Sequence, residues 1–133
     1  MQTLKNIHGV HMRQVRRTVQ LDDLTPTQGK VYTDELEGRS YELQNGLAEP
    51  LVVIDNNETR LLLADGHHRV KAADRLDIEE MDAYVIVLDA TVELGMAETA
   101  RKGQLNSIDD ISVVDFTTHP LIETTTRLQH DTE

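Results

Sequence analysis

The chain has 133 residues, enough for one domain with its own core and too few for a nucleotide domain plus a large second one. It has no cysteine, which excludes disulfides, thiolate metal sites and thiol nucleophiles. Thirteen basic side chains against 24 acidic ones give a net charge of −11, a field that disfavours broad binding to phosphate backbones.

Residues 1–14 lack periodicity and read as a basic N-terminal arm; Lys5, Arg13, Arg16 and Arg17 occur before any acidic residue. Val15–Leu21 reads as a short first strand, followed by the loop Thr25-Pro-Thr-Gln-Gly29. Thr33-Asp-Glu opens a helix whose first-turn acids favour the helix dipole, and Asn45-Gly46 closes it near Gln44. Leu51–Ile54 and Leu61–Ala64, joined by Asp55-Asn-Asn-Glu58, read as a β-hairpin. A second helix is expected from Gly66 to about Leu76, with Val70, Ala72, Ala73 and Leu76 on one apolar arc. The unbroken run Ala83–Leu88 predicts a strand buried on both faces.

Val92–Lys102 predicts a third helix ended by Gly103, Ile111–Phe116 a further strand, and Pro120 the start of a last helix through about Leu128. The organisation is thus an arm (1–14), a core (15–89) and an acidic extension (90–133) packed on the same domain. Charge follows this division: residues 1–75 hold ten basic and eleven acidic side chains, and residues 76–133 hold three and thirteen. Arg13, Arg16 and Arg17 therefore either meet a partner or bridge to the acidic half. The expected core is Leu47, Val52, Ile54, Leu61, Leu63, Ala73, Leu76, Val85, Val87 and Val113. No stretch has the length and apolarity of a membrane span or the pattern of a signal peptide, so we read a soluble, cytoplasmic protein without a membrane partner.

Chemistry concentrates in Ala64-Asp-Gly-His-His-Arg-Val-Lys-Ala72. A strand that turns through glycine into a helix leaves unpaired, positively polarised N–H groups at the helix start, where a phosphate fits. Gly66 permits the turn and the close approach of an anion. Arg69, in the same first turn, has the fork that matches phosphate oxygens. Asp65 can hold Mg²⁺ or take a hydroxyl proton, and His67 and His68 can donate to phosphate or shuttle a proton. Each has a plainer counterpart: Asp65 as a helix cap, the histidine pair as a surface accident. His8, His11 and His119 are weaker metal candidates, and Thr124–Arg127 reads as a solvated helix face.

From about Val19 to Asp89 the chain resembles the N-terminal domain of the ParB/sulfiredoxin superfamily. Gly46, Leu47 and Pro50 match the Gly-Leu-x-x-Pro of the chromosome-partitioning members; Gly66, Arg69 and Ala72 match their Gly-Glu-Arg-Arg-x-x-Ala box, with His67 and His68 replacing its Glu and first Arg. Pro26, Gln28 and Lys30 match their upstream Pro-x-Gln-Pro-Arg element, with Gly29 in place of its second Pro. Sulfiredoxin's Gly-Cys-His-Arg box is matched at Gly66, His68 and Arg69, but His67 replaces the cysteine, so sulfinic-acid repair is excluded. Asp65 to Arg69 match the Asp-Gly-His-His-Arg box of the superfamily's archaeal free-serine kinases at every position, while Thr27 and Gln28 stand where those kinases use a loop Glu.

The resemblance implies a compact α/β (α+β) domain with a small mixed sheet flanked by helices. It also implies a nucleotide (CTP, ATP or ADP) bound with Mg²⁺ between the box and the upstream loop. The expected nucleotide-binding residues are Gly66, His67, His68, Arg69, Gln28 and Lys30; Asp65 and His68 are the catalytic candidates, and Asp65 the metal ligand. The first reading is a ParB-like nucleotide-binding module, a slow nucleotidase or a switch. The alternatives are an ATP/ADP-dependent kinase of a small hydroxylated metabolite such as serine, and a catalytically inactive scaffold for a protein partner or homodimer. No basic recognition helix follows Asp89, so sequence-specific DNA binding is not expected. Only four of the thirteen basic residues are lysine, a composition similar to haloarchaeal proteins.

Overall fold

The computed structural model describes residues 2–7 and 9–115. Its strands are β1 (Gln2–Ile7), β2 (Val10–Gln20), β3 (Leu24–Pro26), β4 (Lys30–Tyr32), β5 (Leu51–Asp55), β6 (Leu61–Asp65), β7 (Glu80–Leu88) and β8 (Ser112–Val114). The α-helices are α1 (Thr33–Gln44), α2 (His67–Arg75) and α3 (Gly95–Lys102). Six strands form one mixed sheet in the order β1-β2-β7-β5-β6-β3, and β4 and β8 form a separate parallel ribbon. Within the large sheet β5–β7 and β3–β6 are parallel and the other pairs antiparallel. This is the α/β class read from the sequence, a compact domain with a mixed sheet flanked by helices.

Both faces of the sheet are covered, which is why Ala83–Leu88 has no polar break. One face buries Val19, Leu51, Val53, Leu63, Ala83 and Val85 with Leu36 of α1 and Val70, Ala72 and Ala73 of α2. On the other, Ile54, Leu88 and Leu94 pack with Val10, Met12, Leu62, Ala64 and Ile86, and with Met96 and Ala97 of α3.

Several expectations need correction. Residues 1–14 are not an arm without regular structure: β1 and the start of β2 form an antiparallel hairpin there. Their alternation is faint because polar side chains occupy both faces of β2, Arg13 and Arg17 on the face of Val19 and Gln14 and Arg16 on the face of Val10 and Met12. Leu47 is 60% exposed, in the loop after α1 where no sheet lies over it. Val113 is 38% exposed, because β8 is the outer strand of a two-stranded ribbon. Val52, Leu76 and Val87 are half-buried, and the other expected core residues are buried. The third helix starts at Gly95, later than Val92.

Arg13 and Arg16 bridge to Asp89 and Asp82 of the acidic half, at 3.4 and 2.6 Å, as the charge division suggested. His8, Phe116, His119 and the expected helix from Pro120 to Leu128 lie outside the described residues.

Candidate functional site

β3 and β6 run parallel, with Pro26 opposite Leu63, so both strands end on the same side of the sheet. The loop after β3 therefore lies against the turn after β6, and the Pro26–Lys30 element meets the Asp65–Arg69 box. Carboxyl ends of parallel strands are where α/β folds characteristically bind ligands. Thr27 Oγ1 donates to Leu63 O at 2.7 Å, and Ser112 N–H of β8 donates to Gly29 O at 2.8 Å, which pins the loop from both sides.

The turn itself requires glycine. Gly66 has φ +112°, and a Cβ there would lie 2.5 Å from Leu51 Cδ2, a fully buried side chain. Gly66, not Asp65, is the residue preceding the first helical turn, and no side chain caps α2. The helix start is thus open to an outside acceptor, and the helix-cap reading of Asp65 is set aside.

His67 is 5% exposed, and its Nε2 accepts the Thr27 N–H at 2.9 Å. In the neutral ring the proton is then on Nδ1. Burial, reinforced by His68 and opposed by Asp65, lowers its pKa to about 4, so it is neutral at physiological pH. His68 Nε2 accepts the Tyr32 N–H at 3.1 Å, and its ring stacks on Tyr32 with centroids 6.1 Å apart. Glu35 Oε2, in the first turn of α1, lies 3.3 Å from the same nitrogen. Protonating that nitrogen would exchange the Tyr32 hydrogen bond for an ion pair with Glu35.

Arg69 is largely spent inside the fold. Its Nη1 donates to Glu49 O at 2.9 Å and Pro50 O at 2.6 Å, and its Nη2 reaches Asp65 Oδ2 at 3.0 Å. It thereby ties the Gly46–Pro50 segment to the box. Asp65 is the open member of this pair: its side chain is 71% exposed against 11% for Arg69. Gln28 and Lys30 are exposed on the facing loop, with Gln28 Nε2 donating to Lys30 O.

The structure brings the box and the loop together, as the sequence reading expected. Three participants were not foreseen as members of the site. Thr27 stands in the sequence reading only as a loop residue where the kinases use Glu, and Glu35 as a dipole-favouring acid; Tyr32 has no part in it. Their placement depends on the β3–β6 pairing and on α1 packing beside α2, for which a single sequence carries no signal. Among the described residues no cluster of three or more metal-ligating side chains occurs, and no helix is long and apolar enough to cross a membrane.

No protein-family model matches the chain. It is 43% identical over 108 residues, 80% of its length, to the uncharacterized protein MJ0188 of Methanocaldococcus jannaschii. The chain spans 41% of that relative's length. Among solved structures, the protein Atu1540 of Agrobacterium tumefaciens superposes with a TM-score of 0.57 at 18% identity, over 76% of this chain and 63% of that one. At that identity the likeness is one of fold. A mutant free serine kinase in complex with AMP superposes with a TM-score of 0.48 at 23% identity, over 53% of this chain and 30% of that one.

Proposed function

We propose that the chain binds the phosphates of a nucleotide at the start of α2, with the Gln28–Lys30 loop closing over them. The observation that carries this reading is the latch of His67 and His68 onto the backbone N–H groups of Thr27 and Tyr32. It fixes a loop with an exposed cation beside an uncapped helix start. On this reading the first-turn N–H groups and Lys30 receive phosphate oxygens. Gln28 donates from its amide, and Arg69 holds the box in place while sharing its Asp65 edge with the ligand.

Mg²⁺ fits the donor set. It typically binds through one or two carboxylates, phosphates and water, and Asp65 offers one exposed carboxylate, whose Oδ2 is the oxygen that meets Arg69. In that role the ion would screen Asp65 from the phosphates. ATP, ADP and CTP are the candidate nucleotides.

Glu35 favours a second reading, phosphoryl transfer to a small hydroxylated metabolite such as serine. It supplies a carboxylate beside His68 that the Pro26–Lys30 loop lacks. The terminal phosphoryl group would break from the nucleotide and bond to the substrate oxygen, whose proton would pass to Asp65 or to Glu35.

A thermal-shift screen with ATP, ADP and CTP, each with and without Mg²⁺ and at low and high KCl, tests the binding reading. A Mg²⁺-dependent rise in melting temperature with at least one nucleotide is expected, since a ligand of the folded state stabilises it by mass action. No shift with any of them would favour a scaffold. The high-salt arms also test the haloarchaeal reading of the acidic surface, which expects greater stability in KCl. Consumption of nucleotide only when serine is added would select the kinase reading.

A further inference from the structure

At the opposite end of β6 lies an open cleft of about 530 Å³, within the range of small-molecule sites. Leu62, its lining residue nearest to Gly66 along β6, lies about 13 Å before it along the sheet, and no lining residue belongs to the candidate nucleotide site, so the cleft is distinct from that site and independent of that reading. Leu62, Ala97, Ala100 and Leu105 line it with apolar surface, while Arg60 and Arg101 line it with two guanidinium groups against one carboxylate, Glu58. A net cationic cleft is unusual on a chain of charge −11.

Arg60 is pre-oriented. Its Nε donates to Thr25 Oγ1 at 3.1 Å and its Nη2 to Leu24 O at 2.7 Å. These bonds occupy the Nε side of the guanidinium and hold it still, leaving the Nη1–Nη2 end for a carboxylate to bridge. Among the described residues, the ion pair of Arg101 is a 3.7 Å contact to the 90%-exposed Glu93, which a ligand can displace at little cost. The lining residue Asn57 is also held, its Nδ2 donating to Leu88 O at 2.8 Å.

We propose that this cleft binds a small organic anion, its carboxylate on the end of Arg60 with Arg101 beside it, and its apolar body on Leu62 and Ala97.

The test is a ¹⁵N-HSQC titration of the full chain with hexanoate, with acetate and hexanol as comparators at matched ionic strength. Hexanoate should shift the amides of Thr25, residues 57–62 and residues 97–106 saturably, and both comparators should bind at least about tenfold more weakly, since one lacks the apolar body and the other the charge. Arg101→Gln, which removes an exposed side chain, should weaken hexanoate by about tenfold or more. Hexanol or acetate binding as well as hexanoate would overturn the proposal. So would unchanged affinity in Arg101→Gln, or shifts that avoid the cleft. Arg60→Gln should abolish binding; if that variant unfolds, the Arg101→Gln titration decides alone.

Discussion

The Nε2 atom of His67 accepts the backbone N–H of Thr27 at 2.9 Å, across 40 residues of sequence. This bond joins the end of β3 to the start of α2 and sets the distance between the two halves of the candidate site. It requires a neutral imidazole, which gives the fold a pH dependence. His67 has its pKa lowered to about 4 in the folded chain, against 6.5 for an ordinary histidine. Between these values the unfolded chain binds the extra proton, so stability falls as pH drops from 6.5 towards 4 and is insensitive to this group above 6.5. Urea unfolding at pH 7.5 and pH 5 should differ by about 2 kcal/mol through His67, and His67→Gln should remove that share of the difference. A His67 ring titrating near 6.5 by NMR would contradict it.

Gly66→Ala must both hold a φ of +112° and press a methyl against the buried Leu51. Backbone strain and overpacking together predict a loss of about 2–4 kcal/mol. Denaturant titration of the variant checks this, and a loss below about 1 kcal/mol would mean that the turn relaxes.

Arg69→Ala should destabilise the chain even without ligand, since it orphans two carbonyls of the Glu49–Pro50 segment. About 2–3 kcal/mol is expected from lost hydrogen bonds to a charged donor. Asp65→Asn, at an exposed carboxylate, should leave the melting temperature nearly unchanged while removing the Mg²⁺ dependence of nucleotide binding. Equal melting-temperature losses in the two variants would show that Asp65 is structural too.

Asn56 is 2% exposed, with its side chain bonded to both backbone groups of Val92. Asn56→Ala should cost about 2–3 kcal/mol by leaving those groups unsatisfied. It should also make the segment after β7 the first site of limited proteolysis. Resistance there equal to wild type would refute the clamp.

Much of this fold was legible because its signals are local. The acids of Asp34-Glu35, the Asn45-Gly46 stop and the 70/72/73 arc place α1 and α2 correctly, and β7 shows as an apolar run because both its faces are covered. The β1–β2 hairpin was missed because Arg13, Arg16 and Arg17 hide its alternation. Asp89 and Asp82, the partners of Arg13 and Arg16, lie more than 60 residues away. In the box, glycine, histidines and arginine were legible as a group, but their tasks were not. Arg69 reads as a phosphate fork until Glu49 O and Pro50 O appear beside it. Glu35 reads as a helix acid until α1 packs on α2. Those tasks follow from tertiary pairing, which a single sequence does not encode in any short window.

The central claim is that nucleotide phosphates sit at the start of α2 under the Gln28–Lys30 loop. The most direct measurement is a ¹⁵N-HSQC titration of the chain with Mg²⁺-ATP and, in parallel, Mg²⁺-CTP. The account predicts that at least one produces saturable shifts centred on the amides of residues 66–69 and 28–30, absent with the unphosphorylated nucleoside. Saturable shifts confined to other amides, or none at either element up to about 5 mM nucleotide, which corresponds to a dissociation constant weaker than millimolar, would contradict it.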